Sequence, residues 1–101
     1  MTVGILGLGL IGGSLARAYA IAGHTVLAAN RDSSILGFAQ LAGAVDSPLT
    51  PENIHECDLI LLAIYPESSA AWLEENARHI SPDALVMDCC GVKQQIRKKC
   101  F

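Results

Sequence analysis

The sequence predicts an α/β fold, a doubly wound parallel sheet, and three observations carry that expectation. Strand-length apolar runs alternate with helix-length segments along the whole chain, which is the sequence form of βαβ units. The run D-L-I-L-L-A-I at residues 58–64 is almost unbroken in its apolarity, as suits a strand covered on both faces of a sheet. Three glycines, Gly7, Gly9 and Gly12, fall where the first apolar run gives way to an Ala- and Leu-rich segment.

Each element has a local reason. Residues 2–6 form a short apolar run that ends in glycine and reads as a buried strand. Residues 10–22 read as a helix closed by Gly23. A second strand follows at 25–29. Asp32, Ser33 and Ser34 offer capping oxygens to a helix reaching residue 42, with Gly43 as its stop. Ala44 and Val45 suggest a very short third strand. Thr50 and Pro51 look like the cap and first turn of a small helix at 52–56. The fourth strand is the 58–64 run, a polar-faced helix spans 67–79, a fifth strand spans 84–88, and another helix starts at Val92. Right-handed crossovers wind such a chain into a two-faced sheet.

Composition removes several function classes. The chain has 101 residues, 51% hydrophobic and 17% charged, which suits one small domain with a core. Its net charge is −3, so it lacks the concentrated basic surface that nucleic acid requires. The dense basic segment Arg97-Lys98-Lys99 reads as a solvated last helical turn. No basic residue precedes the apolar opening, glycines break it, and Arg17 interrupts it, so neither a signal peptide nor a membrane span is expected, and the setting expected is cytoplasmic. The cysteines, Cys57, Cys89, Cys90 and Cys100, lack metal-site spacing; no metal and no disulfide framework are expected.

The glycine triplet satisfies G-x-G-x-x-G in the right setting, after a strand and before a helix, so the fold expected is Rossmann-like. Gly7 permits the tight turn, Gly9 lets backbone approach a pyrophosphate, and Gly12 lets helix and strand pack closely. Leu8 lies inside this loop, and the amides of Leu10 and Ile11 then face phosphate at the helix start. The competing reading is a plain strand-to-helix turn, which needs one glycine and not three. The adenosine ribose is read about 20 residues further on, at Asn30-Arg31. Asn30 is neutral, and Arg31 can fork onto a phosphate or stack on adenine. This favours NADP, with NAD as the alternative. Asp32 is a helix cap close enough to the ribose to matter. Ala63, Ile64 and Tyr65 end the fourth strand and are expected to line the cofactor cleft, where Tyr65 reads equally as a half-exposed aromatic. Cys90 and Gly91 fall on the nicotinamide side. Lys93 reads either as a contact to an anionic substrate or as a surface lysine. No histidine has an evident pairing with Cys90, so it is not expected to be a nucleophile. His24, His55 and His79 fall in turns or helix ends.

The segments G-L-G-L-I-G-G-S-L-A, D-L-I-L-L-A-I-Y-P and D-C-C-G-V-K together resemble the nucleotide-binding half of the prephenate/arogenate dehydrogenases of tyrosine biosynthesis. The resemblance implies oxidative decarboxylation of prephenate or arogenate with hydride passing to NAD or NADP. It places phosphate binding around Gly9, Leu10 and Ile11, ribose recognition on Asn30 and Arg31, and cofactor contacts on Ala63, Ile64 and Tyr65. Two departures stand out. The family's D-x-x-S-x-K motif has Gly91 where the serine belongs. Its catalytic histidine, and the helical domain that completes the substrate site and the homodimer, lie beyond the last strand seen here. Residues 1–101 are therefore expected to be a dinucleotide-binding domain from a longer enzyme, with no catalytic residue of their own and inactive alone. The alternatives are a stand-alone, non-catalytic nucleotide-binding module, or another NADP-dependent oxidoreductase such as a β-hydroxyacid dehydrogenase or an imine reductase.

Overall fold

The computed structural model describes residues 1–64 and 66–89. Five parallel strands form one sheet: β1 (Thr2–Leu6), β2 (Thr25–Ala29), β3 (Ser47–Pro48), β4 (Leu59–Leu62) and β5 (Leu85–Asp88), in the order β3-β2-β1-β4-β5. Three α-helices connect them: α1 (Leu10–Ile21), α2 (Ser33–Leu41) and α3 (Pro66–Asn76). The chain winds outward from β1 to β3, then crosses back to β4 and outward again. The order therefore reverses between β1 and β4, the kind of switch point where open α/β sheets bind ligands.

The two faces of the sheet carry separate cores, as alternation along the strands requires. Val3, Ile5, Val26, Ala28, Leu59 and Leu61 pack with Ala16 of α1 and Val45 on one face. Leu6, Leu27, Ile60 and Leu62 pack with Leu49, Ile54, Cys57, Trp72 and Leu73 on the other. Residues 59–62 are all buried, so the apolar run read from the sequence is a central strand. Each such side chain contributes roughly 1.5–3 kcal/mol by leaving water. Burial raises the Cys57 thiol to about 11, with the neighbouring Glu56 and Asp58 charges adding to the effect.

Most boundaries fall where the sequence puts them. Gly23 and Gly43 close α1 and α2 with φ of 92° and 81°. One strand is displaced: β3 is Ser47–Pro48, not residues 44–45. The amides of Ala44 and Val45 both donate back to the Ala39 carbonyl and finish α2, which leaves the ladder to the residues beyond them. The small helix expected at 52–56 is a 3₁₀ turn at Ile54–Glu56. Its lead-in is fastened by Asn53, whose Oδ1 accepts the Thr50 amide at 2.8 Å. The helix expected at 67–79 ends as α3 at Asn76 and continues as a 3₁₀ turn to His79. The helix expected from Val92 lies outside the described residues.

Candidate functional site

Strand register assembles the site. Leu6 pairs with Ala29 on one side and Leu62 on the other, so the next residues, Gly7, Asn30 and Ala63, emerge side by side at the carboxyl edge. The Gly7 amide donates to the Ala29 carbonyl at 2.8 Å, and the Ala63 amide donates to the Leu6 carbonyl at 2.8 Å. A cleft of about 530 Å³ opens there, lined by Leu6, Ala29, Asn30, Arg31, Ala63, Ile64 and Ser68. Four residues singled out from the sequence thus share one cleft. Ser68, on the first turn of α3, was not singled out. The signal for it was a hydroxyl residue at the helix start directly after the fourth strand. Tyr65 and Cys90 lie outside the described residues, as do Gly91 and Lys93.

The glycine loop stands beside this cleft, and its three glycines have different reasons to be there. Gly7 adopts φ of 90°, a conformation other L-residues avoid, and a Cβ on it would sit 2.5 Å from the Ala63 carbonyl oxygen. At Gly12 a Cβ would run into the carbonyl oxygen of Gly7, so the close approach of α1 to the loop requires its absence. Gly9 differs from both: its φ is an ordinary −68°, and a Cβ there would meet no atom of the described residues within 4 Å.

Gly9 is also the N-cap of α1. It brings no side chain to bond the first amides, and the first turn carries no acidic residue. The first return bond runs from the Gly13 amide to the Gly9 carbonyl, 2.8 Å. The amides of Leu10, Ile11 and Gly12 precede it and have no carbonyl four residues back within the helix. Their partial positive charge points toward the edge where the cleft lies. Leu8 behaves otherwise: its side chain is buried and its amide donates to Asn30 Oδ1 at 2.9 Å. Asn30 Nδ2 donates to the Asp32 carbonyl at 3.0 Å. Asp32 caps α2, its Oδ1 accepting the Ser34 amide at 2.9 Å. Arg31 is exposed on the rim.

The histidines stand in the turns and helix ends expected of them. His24 follows α1 and has its ring 5.9 Å from that of Tyr19, and His55 and His79 lie in the 3₁₀ turns. Among the described residues, no three His, Cys, Asp or Glu side chains come together as metal ligands, and no helix is long and apolar enough to cross a membrane.

Switch-point cleft, glycine turn and unneutralised helix start together define a nucleotide-binding α/β domain. Residues 15–100 match the family described as prephenate dehydrogenase, nucleotide-binding domain, and the chain belongs to that family. The match begins inside α1, after the glycine loop, so the loop is an observation independent of it. Among solved structures, arogenate dehydrogenase of Synechocystis is similar at 31% identity and a TM-score of 0.90, over 99% of this chain and 36% of that one. Prephenate dehydrogenase of A. aeolicus, solved with hydroxyphenyl propionate and NAD+, shares the fold at 20% identity and a TM-score of 0.76, over 87% of this chain and 32% of that one. An imine reductase of Streptomyces aurantiacus is similar at 26% identity and a TM-score of 0.71, over 87% and 31%. The chain spans about a third of the length of these proteins. No curated protein matches the sequence.

Proposed function

We propose that residues 1–101 are the dinucleotide-binding domain of a prephenate or arogenate dehydrogenase, and that they take NADP in preference to NAD. The observation that carries the dinucleotide reading is Gly9. The protein's own atoms explain glycine at positions 7 and 12, but nothing in the described structure excludes a side chain at 9. A ligand whose phosphates press against that backbone does. The pyrophosphate then lies on the amides of Leu10 and Ile11, and Ala63 and Ile64 wall the cleft on the far side of the switch point. Bound nicotinamide supplies the hydride acceptor.

The NADP preference is supported by Arg31 and by what surrounds it. An acid that grips both ribose hydroxyls would repel a 2′-phosphate. Position 30 is neutral, and the nearby Asp32 carboxylate already holds the start of α2. Arg31, exposed on the cleft rim, is the fork that a 2′-phosphate would meet. The substrate and the homodimer belong to the same proposal and come from the family, and a cytoplasmic setting is proposed with them. On the family's pattern the catalytic histidine lies outside these residues, so they bind cofactor without completing the reaction. The likeness to imine reductases is a second reading of the same cleft, and the family match over residues 15–100 ranks it behind.

Fluorescence titration with NADPH and NADH tests both statements. NADPH is expected to bind more tightly. Arg31→Ala is expected to weaken NADPH by about tenfold or more, the scale of a lost charge-assisted bond, and NADH much less. An NADPH-to-NADH affinity ratio unchanged by the substitution removes Arg31 from the site.

A further inference from the structure

Asn30 occupies the position where a ribose-reading residue is expected, yet its side chain is turned inward to the protein. Its carbonyl oxygen accepts the Leu8 amide at 2.9 Å, across 22 residues of sequence. Its amino group donates to the Asp32 carbonyl at 3.0 Å. That carbonyl also accepts the Leu36 amide, 3.3 Å, in the first turn of α2. One planar amide therefore spans two loops: the glycine loop that opens α1 and the β2–α2 loop that carries Arg31. Among the described residues these bonds leave one Asn30 N–H over.

We propose that Asn30 is a positioning residue for cofactor binding. It anchors the glycine loop to the end of β2, so that the phosphate-facing amides are held in place before any nucleotide arrives. The inference rests on the dinucleotide reading above and goes beyond it, because it moves Asn30 from ligand contact to scaffold.

The reason lies in the geometry of the loop. Leu8 sits between two glycines, the residues with the most backbone freedom to lose on ordering. Its amide points to the end of β2 and, unbonded, would leave the peptide between Gly7 and Leu8 free to rotate. The Asn30 carbonyl fixes that peptide plane. The Gly7 carbonyl, which shares it, lies against Gly12 in α1. Fixing the plane therefore sets where α1 begins and where its open amides point. At the other end, the bond to the Asp32 carbonyl fixes the plane of the Asn30 amide, so that its oxygen stays on the Leu8 amide. A site ordered in advance does not spend binding energy on ordering itself.

A clamp and a ribose contact differ in what they do to cofactor choice. A clamp serves every ligand that uses the glycine loop, whatever its ribose carries. Asn30→Ala is expected to weaken NADPH and NADH by the same factor, about tenfold for the loss of two hydrogen bonds. The NADPH-to-NADH ratio is expected to stay within twofold of wild type, whereas Arg31→Ala changes it. Hydrogen exchange of the wild-type protein gives a second readout that needs no variant. The Leu8 amide is expected to be protected without nucleotide and to stay protected with NADPH bound.

A ratio shifted threefold or more by Asn30→Ala overturns the clamp in favour of direct ribose contact. So does a Leu8 amide that exchanges freely in the wild-type protein, a result that stands even if the variant does not fold. A wild-type protein that binds neither NADPH nor NADH overturns the dinucleotide reading itself, and is told apart from the other outcomes because the variants are not needed to see it.

Discussion

Two strand-to-helix corners stand side by side at the carboxyl edge of the sheet, and the chain treats them in opposite ways. At the β2–α2 corner the helix start is finished by the protein. Asp32 sits at the N-cap, its carboxylate takes the Ser34 amide, and its negative charge meets the positive end of the helix. At the β1–α1 corner the N-cap is a glycine, which has no side chain to bond the first amides, and no acid occupies the first turn. The same topology and the same chain direction thus give one satisfied helix start and one open one. A fold able to cap α2 with a single aspartate could have capped α1 likewise. On the function proposed above, the difference is the one expected where a bound phosphate completes the helix.

Within the open corner, the largest effect is expected at Gly12. Gly12→Ala puts a methyl group into the Gly7 carbonyl, and neither backbone segment can move without parting α1 from β1. A loss of about 3 kcal/mol, at the upper end of overpacking costs, is expected in urea unfolding. Stability within about 1 kcal/mol of wild type would mean that the turn and helix are not in the contact described. Gly9→Ala is the sharper counterpart. Its backbone angles suit any residue and its Cβ meets nothing nearby, so unfolding is expected to change by less than about 1 kcal/mol. Affinity for NADPH is expected to drop by about tenfold or more, because the methyl occupies the approach of the phosphates. A Gly9→Ala protein that binds NADPH as wild type does would erase the distinction between the two corners.

The sequence is a good guide to these corners and a poorer guide to what joins them. Residues 2–6 and 25–29 read as strands from their apolar runs and glycine stops, and β1 and β2 occupy those residues. Asp32 reads as a cap because Asp before two serines has few other local uses, and it caps α2. The third strand lies three residues beyond its expected place, because Val45 is apolar and buried, while the ladder runs through Ser47 and Pro48, which carry no strand signal. There, position beside β2 overrides propensity. Asn30 shows the other limit. Its distance from the glycines marks it as a ribose residue, but its bond to Leu8 joins positions far apart in the chain and leaves no mark in local spacing. Spacing finds residues that a ligand brings together; bonds between loops become visible only once the register of β1 and β2 is known.

The finished corner supports a smaller prediction. Asp32→Ala removes the bond to the Ser34 amide and the charge at the start of α2, and is expected to cost about 1 kcal/mol in urea unfolding. Asp32→Asn keeps an oxygen able to cap and is expected to stay within a few tenths of wild type. Neither change touches the Asp32 backbone carbonyl that receives the Asn30 amide, so the link between the loops survives both. The pair of variants therefore isolates what capping contributes where the protein supplies the cap. If Asp32→Ala is as stable as wild type, α2 is held by packing alone, and an uncapped start is no mark of a ligand site in this fold. If it loses the expected stability, an open helix start costs something here, and the chain tolerates that cost at only one of the two corners, the one beside Gly9.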